Sequence, residues 1–261
     1  LNRLWGMLTL AHISDTHIGG SEHSVRRTEA VVRHLAELPE PIDAVVATGD
    51  IADHGAADEY ETVRELLARL PYPTIVCPGN HDSRAEFRKV LLGANDGPGD
   101  GGDAPVNQVL HLPEATIALC DSTIPGRPEG YLDDATLTWL DGVLESADRP
   151  VFVGMHHQPV PLGIPYVDEI MLREPERLAQ VLLRRSRTVA ALLIGHAHTA
   201  ASANFAGLPV RVAAGVSSTL MLPAENTQRM AIDYDQPPGL SFHLFEPDGG
   251  WLVTHSRVVA A

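Results

Sequence analysis

The chain has 261 residues, enough to bury a sizeable core and near the upper size for one domain. Hydrophobic residues make up 44% and charged residues 20%, values that set it among globular proteins and apart from disordered or membrane chains. A formal charge of −15 argues against general binding to nucleic acid or anionic lipid, partners that demand a basic surface.

The first residues, Leu1 to Gly6, carry one positive charge and no cleavage-type pattern, so they do not read as a signal peptide, and Met7 is a candidate natural start. No apolar run approaches the roughly 20 residues that span a bilayer, and a cytoplasmic location is expected. The two cysteines, Cys77 and Cys120, sit in apolar runs without a CxxC spacing and read as buried thiols.

Strand-length apolar runs alternate with amphipathic stretches, the pattern of an α/β layered protein. Leu8 to Ile13 is the first strand, Ser24 to Leu38 a helix ended by Pro39 and Pro41, and Ala44 to Ala47 the second strand. A helix over Ala56 to Leu70 precedes a strand at Thr74 to Cys77. Ser83 with Glu86 predicts a capped helix running to about Leu92. The turn formers of 95–104 (NDGPGDGGDA) predict a mobile surface loop. A hairpin follows at Val106 to Leu112 and Ala115 to Cys120, then a helix at Leu132 to Leu144, a strand at Val151 to Met155, a helix near Arg177 to Arg185, and a strand at Val189 to Ile194. The remainder, with strands at Ser202 to Phe205, Val210 to Ala213, Leu240 to Phe245 and Trp251 to Val258, suggests a second sheet packed on the first, with helices outside, in a single domain over 1–261.

Five of these strands end in residues of metal-ligand type: Asp15-Thr16-His17, Gly49-Asp50, Gly79-Asn80-His81-Asp82, His156-His157 and Gly195-His196-Ala197-His198. In open α/β sheets, ligands bind beyond the carboxyl ends of strands. Each fragment alone is a weak signal; their shared position is the informative feature, because unpaired ionisable groups at strand ends are costly to bury. Carboxylate, amide and imidazole donors without thiolate suit Mn, Fe, Zn or Co. An aspartate can bridge two ions about 3.5–4 Å apart, and Asp50 is the candidate bridge. The glycines before three of the clusters allow sharp turns off the strand.

The set DxH, GD, GNHD, H and GHxH, in this order, resembles that of the calcineurin-like binuclear metallophosphoesterases. The surroundings ISDTHIGG, GDIADHG, GNHDSRAEFRKVL, GMHHQP and GHAHT look more closely like the bacterial class III cyclic nucleotide phosphodiesterases and related glycerophosphodiesterases, over roughly Leu8 to Val216. The resemblance implies a four-layer αββα sandwich, often dimeric, with two mixed β-sheets facing each other between helices. It implies two metal ions, the first held by Asp15, His17, Asp50 and His198 and the second by Asp50, Asn80, His156 and His196. It also gives His81, with Asn80, a place at the substrate phosphate, and leaves Asp82 to orient their loop.

The expected reaction is hydrolysis of a small phosphodiester, with cyclic nucleotides first, by attack of a metal-activated hydroxide, and with His81, Asp50 and Asn80 as the catalytic group. His157 is expected to support the ligands from behind; His12 and Asp53 read as structural. The segment from Pro159 to Glu174 could wall the pocket or an interface. Competing readings are a phosphomonoesterase, a glycerophosphodiesterase or a nucleotide pyrophosphatase on the same fold. A nuclease is disfavoured by the acidic balance, and a metal-free scaffold by the intact ligand set.

Overall fold

A computed structural model describes residues 7–93, 102 and 104–261. Period-two burial builds its layers. In β1 (Leu8–Ile13), Leu8 and Leu10 face one core while Ala11 and Ile13 face another; in β2 (Ala44–Thr48), Ala44 and Val46 oppose Val45 and Ala47 in the same way. The outward set packs under α1 (Glu22–Ala36) and α2 (Ala57–Leu67) through Val31, Leu35, Tyr60 and Leu66. The inward set meets Ile117, Leu119, Phe152, Ala191 and Leu193 of a second sheet, where Phe152 stands edge-on to Phe245 at 5.2 Å. That second sheet turns Val153, Met155, Leu192 and Ile194 outward against other helices. The result is a four-layer αββα sandwich.

The first sheet runs β13-β12-β1-β2-β3, with β3 at Thr74–Cys77, β12 at Gly239–Glu246 and β13 at Trp251–Val258. The second runs β4-β5-β6-β7-β9-β8, formed by Gln108–His111, Thr116–Leu119, Val151–Met155, Val189–Ile194, Leu208–Val212 and Ala201–Phe205 respectively. Strands β1, β2 and β3 are mutually parallel, as are β5, β6, β7 and β9, and both sheets carry antiparallel strands at their edges. On the second sheet, α4 (Asp134–Ser146) and α6 (Pro175–Arg184) bury Leu140, Leu144, Leu178 and Leu182.

Several expectations need adjustment. The late strands do not form the second sheet by themselves: β8 and β9 extend it, while β12 and β13 return to pair with β1. Apolar alternation marks a strand without naming its partner. The helix after Ser83 is one turn, α3 (Arg84–Glu86), that passes into a π-helical stretch over Phe87–Leu91, with Phe87 held edge-on to Tyr60 at 5.8 Å. A short helix α5 (Pro165–Glu169) and a two-residue-per-strand hairpin, β10 (Thr219–Leu220) with β11 (Ile232–Asp233), were not predicted. The loop predicted over 95–104 lies outside the described residues apart from Gly102 and Ala104. Among the described residues, no helix is long and apolar enough to cross a membrane.

Candidate metal centre

The carboxyl ends of β1, β2, β3, β6 and β7 meet where the two sheets face one another. Backbone bonds stitch their turns together: Asp15 N–H to Gly49 O at 3.0 Å, His17 N–H to Asp50 O at 2.9 Å, and Gly195 N–H to His156 O at 3.1 Å. Seven non-glycine residues among those described have positive φ, and five of them are Asp15, His17, Asp50, His196 and His198. Left-handed backbone at such residues is uncommon and is retained where surrounding structure imposes it. Gly49, with φ of 85°, leaves room for the His156 ring, whose atoms a Cβ would strike. At Gly79, φ is not in the left-handed region; the need is clearance, because a Cβ would strike the Asp50 backbone and carboxylate.

Asp50 is buried, with 3% exposure. Its Oδ1 accepts the His81 N–H at 2.9 Å, while Oδ2 lies 3.5 Å from His17 Nε2 and 3.3 Å from His156 Nε2. One oxygen, not two, therefore faces both halves of the site. On one side, His17 Nε2 is 3.2 Å from His198 Nε2, which is 3.5 Å from Asp15 Oδ1. On the other side, His156 Nε2 is 3.1 Å from Asn80 Oδ1 and 3.1 Å from His196 Nδ1.

Supporting bonds select the imidazole tautomers that aim lone pairs inward. His156 Nδ1–H donates to the Thr48 carbonyl at 2.8 Å, and His17 Nδ1–H donates to Asp53 Oδ1 at 2.7 Å. His198 Nδ1 bonds Ser218 Oγ at 2.9 Å. Asp15 Oδ2 and His196 Nε2 are buried without a hydrogen-bond partner, although such atoms are normally satisfied. Clustered nitrogen and oxygen donors, facing lone pairs and an orphaned carboxylate oxygen fit two divalent cations sharing Asp50.

Charge follows the same geometry. Burial opposes ionisation of Asp50, but His156, the bond between them and His17 outweigh it and hold the carboxyl well below its ordinary range. Burial likewise pulls His156 down, yet Asp50 and their bond raise it to about 9. Burial holds His196 well below its usual value and also lowers His198. An ionised Asp50 beside His196 and His198, both kept toward the neutral form, gives protonation states that cation ligands require.

The remaining predicted residues have separate places. His81 Nδ1–H donates to the Asp53 carbonyl at 2.8 Å, leaving Nε2 on the cavity side, with the ring edge-on to His17 at 4.6 Å. Asp82 lies beneath: its carboxylate accepts Ile51 N–H at 3.0 Å, Ala52 N–H at 3.0 Å, Gly79 N–H at 2.8 Å and Tyr60 O–H at 2.9 Å. Burial, then Asp50, raises its carboxyl to about 6. His157 bonds Ser122 Oγ at 2.8 Å through Nδ1 and donates to the Pro128 carbonyl at 3.1 Å through Nε2. With both nitrogens engaged, it packs its ring against His156 and His196, with centroids at 4.9 and 4.7 Å, and burial pushes it down to about 3.

Sequence reasoning missed Asp53, Thr48 and Ser218. Asp53 follows Asp50 by three residues, and only the turn after β2 shows that it faces both His17 and His81. His12, in contrast, does lie in the core, bonded to His243 at 3.1 Å and to Thr48 Oγ1 at 2.8 Å. A cavity of about 620 Å³ opens over the centre, and the segment 159–174 contributes Tyr166, Val167 and Ile170 to its wall.

Comparison with known proteins agrees with this geometry. The family model for calcineurin-like phosphoesterases matches residues 8–200. The chain is 36% identical over 201 residues to the glycerophosphodiester phosphodiesterase GpdQ of Enterobacter lignolyticus, covering 73% of this chain and 71% of that protein. It is 34% identical over 222 residues to a cAMP/cGMP dual specificity phosphodiesterase of Mycobacterium tuberculosis, covering 80% and 68%. Among solved structures, a dimetal phosphatase from Danio rerio superposes with a TM-score of 0.68 at 17% identity, covering 97% of this chain and 99% of that one, which speaks to the fold alone. The motifs, the sandwich and the matched span lead to one statement: the chain belongs to the calcineurin-like phosphoesterase family.

Proposed function

We propose that this protein is a binuclear metal-dependent phosphodiesterase acting on small diesters, cyclic nucleotides foremost. The observation that supports it most is the single buried Asp50 oxygen set between two groups of inward-aimed donors. The similarity to phosphodiesterases named for cyclic nucleotides and for glycerophosphodiesters supports a diester over a monoester or pyrophosphate substrate.

In this reading Asp15, His17, Asp50 and His198 hold one ion and Asp50, Asn80, His156 and His196 the other. The bound ions, from among Mn, Fe, Zn and Co, would neutralise phosphate charge and lower the pKa of water. Asp53 keeps His17 in the tautomer that presents Nε2, and Thr48 does the same for His156. Asn80 Nδ2 and His81 Nε2 are the donors for the non-attacking phosphate oxygens. When doubly protonated, His81 passes its Nε2 proton to the departing alkoxide. Asp82 fixes the β3 turn to the β2 turn, holding Asn80 and His81 at a set distance from Asp50.

The two cysteines, both buried and free, suit a cytoplasmic setting. We further place this chemistry in one domain that acts as a homodimer.

The test is a metal-reconstituted substrate panel of bis(p-nitrophenyl) phosphate, p-nitrophenyl phosphate, 3′,5′- and 2′,3′-cyclic nucleotides and glycerophosphodiesters, ranked by kcat/KM. Diesters should lead, with cyclic nucleotides above glycerophosphodiesters; a monoester at the head of the ranking would overturn the reading.

A further inference from the structure

The cavity has two unlike ends. The floor is the polar centre, and the outer wall is apolar, made by Tyr166 and Ile170 on one side and by Leu220, Met230, Ile232 and Tyr234 on the other. Around β11, Met230, Ile232 and Tyr234 line the cavity, while Ala231 and Asp233 are not among its lining. Leu220 pairs across the hairpin with Ile232. Tyr166 lies on α5, and Ile170 is the residue that caps its C-terminus.

This wall is built rather than incidental. Arg229 pairs with Glu169 and lies 6.0 Å from the Tyr166 ring, joining the two sides across the mouth. The buried Arg27 donates to the Tyr234 carbonyl at 3.1 Å and to the Val216 carbonyl at 2.6 Å, tying both ends of the hairpin segment to α1. Met230 is nonetheless 43% exposed and Tyr234 56% exposed, so apolar surface is presented to the cavity and its opening. The hairpin side of the wall lies beyond residue 200, where the family match ends, while Tyr166 and Ile170 lie within the matched span. Among the described residues, no lysine or arginine lines the cavity, and Asp53 and Asp235 do.

Resting on the diesterase reading above, we propose that this wall is a subsite for an uncharged, flat organic arm of the diester, such as a nucleoside. The same wall discriminates against small arms and against any arm bearing a second phosphate. A planar arm gains apolar contact with Met230, Ile232 and the two tyrosines. A second phosphate would meet the carboxylates of Asp53 and Asp235, while Arg229 at the mouth is already paired with Glu169. The 620 Å³ cavity exceeds what a methyl or glyceryl arm fills.

Esters sharing one chromogenic leaving group separate these effects: methyl p-nitrophenyl phosphate, thymidine 5′-(p-nitrophenyl phosphate), and the latter with an added 3′-phosphate, each with the manganese-loaded protein. The nucleoside arm should raise kcat/KM at least about tenfold over methyl, and the added phosphate should cancel that gain. In Met230→Asp and in Tyr234→Ser the nucleoside-to-methyl ratio should fall toward one, while Met230→Leu should keep it; mere misfolding would lower both esters and leave the ratio standing. A wild-type ratio near one, or a ratio unmoved by both polar substitutions, overturns the subsite while leaving diesterase activity intact. No hydrolysis of any ester, nor of bis(p-nitrophenyl) phosphate, instead removes the diesterase reading, and the subsite falls with it.

Discussion

Asp50 combines three constraints in one side chain: left-handed backbone with φ of 47°, Oδ1 committed to the His81 N–H, and Oδ2 facing His17 and His156. Replacing it with alanine removes the group shared by both halves, so Asp50→Ala should lose metal and at least about a thousandfold in kcat while remaining folded. Metal content by elemental analysis, read beside circular dichroism, checks this, and near-wild-type turnover would exclude Asp50 as the bridge. Asp53 makes a subtler case, since it touches His17 through its side chain and His81 through its backbone. Asp53→Asn keeps the shape but weakens the acceptor, and should cost about 10–100-fold in affinity for the first ion. Equal loss at both ions, measured by competitive chelation, would argue against so local a role. His81→Ala should retain both ions yet turn over slowly, because the proposal gives His81 to the phosphate and not to a metal; loss of an ion would reassign it.

At the scale of elements, the turns after β2 and β3 depend on one carboxylate. Asp82 accepts three backbone N–H groups and the Tyr60 hydroxyl, and Asp82→Ala strands these donors in the interior. A loss of about 3 kcal/mol in urea unfolding is expected; a loss under about 0.5 kcal/mol would mean that water or a shifted turn satisfies them. Strands β1 and β12 are joined by a buried pair, His12 and His243, with His243 Nδ1 bonded to Thr254 Oγ1 at 2.9 Å. Burial, then Arg211, lowers His243 to about 3. A histidine whose folded pKa is depressed contributes stability fully above its unfolded value near 6.5, and loses it as pH falls from there toward 3. Between pH 7 and 5 the wild type should therefore lose about 2 kcal/mol more than His243→Gln in matched urea titrations. Parallel slopes would contradict the assignment of a neutral buried His243.

The elements themselves were legible to different degrees. Strands β1, β6 and β7 announced their bounds because they are nearly continuous apolar runs with both faces in core, and β13 because turn formers precede an alternating, half-exposed run. The hairpin β10–β11 did not, since two residues per strand carry no period and its Met230 and Tyr234 look like ordinary exposed side chains. The partner of β12 was equally hidden, because antiparallel pairing with β1 across more than 200 residues of chain is decided by packing of Phe245 between the sheets and not by local pattern.

For the whole molecule, the net charge of −15 and an anionic substrate class coexist because the acidic residues at the centre are matched there by imidazoles and, in the proposed state, by cations. The proposed ligands could be singled out in the sequence because they are scarce residue types gathered at strand ends, whereas the partners that aim them, Thr48, Asp53 and Ser218, include a backbone carbonyl and an ordinary hydroxyl that no motif distinguishes. The most direct measurement is anomalous diffraction from crystals grown with manganese. The account predicts two strong peaks flanking Asp50 Oδ2, one beside His17 and His198 and the other beside Asn80, His156 and His196. A single peak, or peaks away from Asp50 with these side chains still in place, would contradict it.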